Sequence, residues 1–199
     1  NDLLFFLPLC LYGYSLGKGY SWLKPFIRAS LNRLNLSLPI KTSLGAVAIF
    51  IVTMIAPTLL FSGQHSLHSI VELGMGTPVL ILFILSITKL LFLEVCLWTG
   101  WTGGDIFPVT FAAFLQGFAV AQLFPQVDSL FIVLVVSLSM AIALLEKEWL
   151  AGIFISLFFP FQLLPISLLM IAPCCGRIIS ILYVDNTSIT GLITEFEGI

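Results

Sequence analysis

From Thr77 to Pro108 the chain reads TPVLILFILSITKLLFLEVCLWTGWTGGDIFP. The apolar run from Thr77 to Leu97 is long enough to cross a bilayer, which takes about 20 residues of helix. Pro78 suits its first turn, because a first-turn residue has no helical use for an N–H group. The run ends in Gly100-Trp101-Thr102-Gly103-Gly104-Asp105, and a second helix is predicted from Ile106 to Phe124 with Pro108 in its first turn. A spanning helix, a glycine-rich break and a new apolar helix in direct succession predict helices that stop and restart inside a membrane.

The rest of the chain repeats this pattern. Apolar runs cover Leu3 to Leu16, Leu44 to Leu60 with Pro57 inside, Ser66 to Leu73, Ser129 to Leu145 and Trp149 to Phe159. Pro160 and Pro165 flank the start of the last large run, which ends near Ala172-Pro173, and a short piece from Gly176 to Tyr183 precedes a polar tail. Several of these runs are too short to span a bilayer as a simple rod. Non-helical backbone at membrane depth survives only when it is buried in protein or lines a polar cavity, and transporters place ion sites at such breaks. The predicted fold class is therefore an all-α integral membrane protein of short, broken and tilted helices. Residues 1–183 form the transmembrane region and 184–199 a polar tail.

Composition excludes a water-soluble domain. Hydrophobic residues make up 59% of the 199, charged residues only 9%, and mean hydropathy is +1.14. Soluble proteins carry roughly 25% charge. The net charge of −2 offers nothing to nucleic acid. Cys10, Cys96, Cys174 and Cys175 have neither a metal-binding nor a disulfide-framework spacing. The chain starts at Asn1 within an apolar run and without a basic leader, so the start is read as a truncation. Between Lys18 and Lys41 lie Lys18, Lys24, Arg28, Arg33 and Lys41, five of the eight basic residues, with no acid among them. Such stretches face the cytoplasm. Trp22, Phe26, Ile27, Leu31 and Leu34 recur there at helical spacing, which predicts one long helix or two leaving along the interface. The expected location is a multi-pass position in the cell membrane.

Gly103-Gly104-Asp105-Ile106-Phe107-Pro108 carries the strongest chemical signal. Two glycines permit a tight turn and close approach to the backbone. The amides of Gly104, Asp105, Ile106 and Phe107 lie at a helix start, where N–H groups lack intrahelical acceptors and the macrodipole is positive. Such an end binds an anion without a basic side chain. An ordinary inter-helix loop fits the glycines equally well, and Asp105 then serves as a helix cap. Lys89 and Glu94 stand within the preceding span, where charge is costly and marks a path or a partner. Being five apart they do not stack on one face, so each pairs elsewhere, or Glu94 reaches the interface. His65, His68 and Glu72 have a spacing that could share a helical face, but no metal is assigned to them. Glu146-Lys147-Glu148 reads as a solvated loop. No nucleophile–base arrangement or phosphate-binding lysine loop is present, so no enzyme and no cofactor are expected.

Taken in order, these pieces resemble the CLC family of anion channels and anion/proton antiporters, from about Leu3 to Leu182. Gly104-Asp105-Ile106-Phe107-Pro108 is similar to the family's G-x-F-x-P motif, with Ile106 in the place of its Phe. Thr99 to Gly104 resembles the approach to that motif, and Lys89 falls where the family carries a basic residue in the preceding helix. Ile55-Ala56-Pro57 with Phe61-Ser62-Gly63, Leu123-Phe124-Pro125 and Ala151-Gly152-Ile153 resemble its flanking breaks. The resemblance implies the C-terminal half of an inverted-repeat fold, chloride or fluoride as the anion, possible coupling to protons, a lipid bilayer and a homodimer of full-length subunits. A fragment of this kind would be inactive alone. Ile178 stands where the family places an anion-coordinating tyrosine, and Tyr183 is out of register. Two other readings are a non-transporting, degenerate CLC half and an unrelated secondary transporter with broken helices.

Overall fold

The computed structural model describes residues 3–60, 72, 74–101, 103–146 and 148–158. Ile178, His65, His68, the run from Ser66 to Leu73 except Glu72, and the boundary at 183/184 lie outside the described residues. Among the described residues the helices with defined bounds are α1 Leu3–Asn32, α2 Leu38–Ile55, α3 Val79–Trp98, α4 Ile106–Leu123, α5 Ser129–Leu145 and α6 Glu148–Phe158. A single 3-10 turn, Pro57–Leu59, follows α2, and there is no strand among the described residues. The mixed stretch after Leu16 is part of one 30-residue helix that runs through Pro8 and Pro25. The breaks at Pro57 and at the Gly100–Asp105 turn fall where the sequence places them.

α5 is the centre. Apolar residues surround it, so no face is suited to water, and it is buried from Ile132 to Ala143. Asp128 starts it, its carboxylate accepting from the Phe131 amide at 3.0 Å. Glu146 closes it in a left-handed conformation, φ 54°, and pairs loosely with Lys18 at 3.8 Å.

α1 and α4 pack most extensively on this centre and α6 less so, while α3 packs on α4. α1 approaches α5 through Gly13 and Gly17, a G-x-x-x-G pair that brings backbones close without side chains between them. A Cβ at Gly13 would sit 2.6 Å from the Val136 carbonyl oxygen, and one at Gly17 2.6 Å from the Ala143 Cβ. α4 approaches α5 nearly as closely: a Cβ at Gly117 of α4 would sit 2.9 Å from Val133.

Two serines tie α4 to its neighbours. Ser86 of α3 donates to the Ala112 carbonyl at 2.8 Å, and Ser137 of α5 donates to the Ala113 carbonyl at 3.1 Å. Both hydroxyls are buried, where a hydroxyl left without a partner is costly. Consecutive carbonyls of α4 thus accept from both flanks, which fixes its rotation and depth.

α2, α3 and α4 are each long and apolar enough to cross a membrane. They differ in what covers them. The α4 span is 67% buried in protein, the α3 span 28% and the α2 span 6%. α4 is therefore an interior helix, buried from Val109 onward, while the residues that lead into it, Gly103 to Asp105, are exposed.

Candidate functional site

The site begins where α3 ends. Thr99 is buried, and its hydroxyl donates back to the carbonyls of Val95 and Cys96, at 2.9 Å each. The next residue, Gly100, adopts φ +89°, a conformation that favours glycine. Its amide donates to Leu97 at 3.3 Å and the Trp101 amide donates to Cys96 at 3.1 Å. This pair of bonds is a Schellman motif, which satisfies the last carbonyls of α3 and reverses the chain.

The reversed loop is pinned to the start of α2. Thr42 donates through its hydroxyl to the Thr99 carbonyl at 3.3 Å, and the Trp101 indole donates to the Thr42 carbonyl at 3.3 Å. Gly45 makes room for this contact, since a Cβ there would collide with the Thr99 hydroxyl and the Trp101 ring.

From Trp101 the chain runs through Gly103, Gly104 and Asp105 into α4. The first helical bond of α4 runs from the Val109 amide to the Asp105 carbonyl, 3.0 Å. Asp105 precedes the helix but makes no side-chain cap, and it is exposed. The capping role open to it in the sequence is therefore not the one it plays. Its own backbone is already helical (φ −83°, ψ −18°), unlike the extended conformation typical of a capping residue.

Behind the loop lies a cleft of about 190 Å³, bounded by Gly103, Gly104, Pro108, Trp101, Cys96 and Lys89 among others. Lys89 is buried, and its ammonium donates to the Leu59 carbonyl at the end of the 3-10 turn. It also lies 5.5 Å from the centroid of the Phe111 ring. The structure thus brings Lys89, singled out from α3, to the same cleft as the glycines before α4. Ile106 and Phe107 follow in the first turn, half-buried.

Glu94 is separate from this cleft and does not reach out to the interface. It is fully buried, and α1 supplies its partners. Arg28 Nε lies 2.7 Å from one carboxylate oxygen, Lys24 Nζ 3.2 Å from the other, and the Tyr20 hydroxyl donates to it at 3.2 Å. Tyr20 also bonds the Leu90 carbonyl at 2.8 Å. Tyr20, Lys24 and Arg28 recur every four residues, which puts them on one helical stripe. That stripe, together with an isolated acid in an apolar span, was the available signal for this cluster.

Helices of spanning length around a buried central helix, with a buried lysine inside, define an integral multi-pass membrane protein. The family of voltage-gated chloride channels matches residues 1–180, and the chain belongs to that family. No curated protein and no solved structure matches the chain. Membership makes anion transport, with chloride as the family's named ion, the general function of the fold.

Proposed function

We propose that Lys89 and the amides of Gly104, Asp105, Ile106 and Phe107 line the path of a small inorganic anion, chloride or fluoride, across the membrane. The observation that carries this reading is the cleft shared by the Lys89 side chain and the turn before α4. A helix start attracts an anion by up to about 2 kcal/mol in a partly buried setting. A buried ammonium adds to that attraction, because apolar walls screen it less than water does. Asp105 stands at the mouth of the same turn. A carboxylate there opposes the field of the helix start and so bears on which anion is accepted. The resemblance to the family adds helix ends from a second half facing these, and a homodimer with one path in each subunit.

Gly104 offers a direct test. A Cβ at Gly104 meets nothing within 4 Å, so the surrounding packing admits one, and Gly104 borders the cleft; Gly104→Val therefore adds bulk at the edge of the proposed path. In the whole protein reconstituted in liposomes, this variant is expected to fold with normal yield and to lose chloride efflux by about tenfold or more, the effect of about 1.4 kcal/mol. Asp105→Asn, measured alongside, is expected to change the ratio of fluoride to chloride flux. Normal efflux through Gly104→Val would place the path elsewhere.

A further inference from the structure

We infer that Glu94 is a positioning residue, which with Tyr20, Lys24 and Arg28 sets the rotation of α3 and so holds Lys89 at the anion path. This rests on the path reading given above for Lys89.

The geometry is that of a clamp between two helices. α1 meets α3 over a short stretch, and the Glu94 cluster lies there. Glu94 is fully buried, whereas the Lys24 and Arg28 side chains are 34% and 45% exposed. The cations are thus anchored from the outer side, and the acid is the fixed point. The Tyr20 hydroxyl joins the same acid to the Leu90 carbonyl one turn earlier, so α1 grips both the side chain and the backbone of α3.

The clamp matters for Lys89 because of helical phase. Five residues along a helix turn through about 140°, so Glu94 and Lys89 leave α3 in nearly opposite directions. A helix held at Glu94 cannot roll without carrying Lys89 away from the Leu59 carbonyl and out of the cleft. α1 is itself anchored on α5 by Gly13 and Gly17, so the grip on α3 is referred to the centre of the fold. An intramembrane ion pair of this kind carries little net stability, since desolvation offsets its attraction. Orientation is what it supplies.

Cys96 borders the cleft on α3 and reports its rotation independently of transport. The experiment uses the whole protein in liposomes with Cys96 as its one cysteine. Glu94→Gln keeps the shape and removes the charge. Arg28→Gln approaches the pair from its half-exposed side and guards against misfolding of the first variant. Both are expected to change the rate of Cys96 modification by a water-soluble thiol reagent by about threefold or more, a typical size for coupling between residues in one network. Both are also expected to shift the fluoride-to-chloride flux ratio, and combining either with Lys89→Met is expected to add nothing to Lys89→Met alone. A purely structural role would lower the amount of active protein and leave the ratio and the Cys96 rate unchanged, which would overturn the inference. If the Cys96 rate shifts while Lys89→Met leaves flux intact, the clamp stands and the assignment of Lys89 to the path fails.

Discussion

Gly17→Leu is expected to prevent recovery of folded, monodisperse protein in detergent. The obstacle is backbone as well as side chain. A Cβ at Gly17 would lie 2.6 Å from the Ala143 Cβ and 2.8 Å from the Met140 carbonyl oxygen, so α1 must move off α5 to admit it. Overpacking a well-fitted interface costs about 1–3 kcal/mol when side chains can yield, and a fixed helix backbone places this substitution at the upper end or beyond. The whole stability of a typical domain is only about 5–15 kcal/mol. Gly13→Val is expected to act the same way, because a Cβ there lies 2.6 Å from the Val136 carbonyl. Gly19 is the control. A Cβ at Gly19 meets nothing within 4 Å, and Gly19→Ala is expected to be neutral or to stabilise α1 by about 1 kcal/mol through helix propensity. Thermal unfolding followed by size-exclusion chromatography reads all three. Equal stability of Gly17→Leu and Gly19→Ala would contradict the close α1–α5 contact.

Lys89→Met is expected to reduce chloride flux by about tenfold or more, with folded yield largely kept. Methionine fills a similar volume with a flexible, polarizable chain and tolerates an irregular site. What is lost is the ammonium, with its hydrogen bond to the Leu59 carbonyl and its contact with the Phe111 ring. At an effective dielectric of about 20, a unit charge about 4 Å from an anion contributes about 4 kcal/mol, of which desolvation returns a share. About 1.4 kcal/mol of net loss already gives a tenfold effect. Lys89→Arg is expected to retain more flux than Lys89→Met, since it keeps the charge. Flux with Lys89→Met equal to that of the unmodified protein would remove Lys89 from the path.

The elements were legible where apolar length and punctuation agree. Pro57, the Gly100–Asp105 turn and Pro125 each end a helix, and each interrupts an apolar run in the sequence. α1 was harder to delimit, because Lys18 and Pro25 interrupt its apolar run while the backbone continues. Its packing on α5 and α3 overrides the local signal. Lys89 and Gly104 were both singled out from the sequence, but their meeting in one cleft depends on how α3 folds back at Gly100, which periodicity does not encode. The G-x-x-x-G pair at Gly13 and Gly17 was present in the sequence, and reading it requires knowing that α1 has a helical partner. For Asp105 the residue type suggested a cap, and the backbone conformation decided otherwise. The Glu94 cluster shows the same limit: a stripe at four-residue spacing on α1 gains meaning only when α3 presents an acid to it.

The central claim is that an anion sits where the start of α4 meets Lys89. Bromide can replace chloride and be located by its anomalous X-ray scattering in crystals of the whole protein. The account predicts a bromide peak in the cleft beside Gly104, against the first amides of α4 and facing Lys89, that weakens in Lys89→Met. Bromide bound at other sites, with this cleft showing none at saturating concentration, would contradict it.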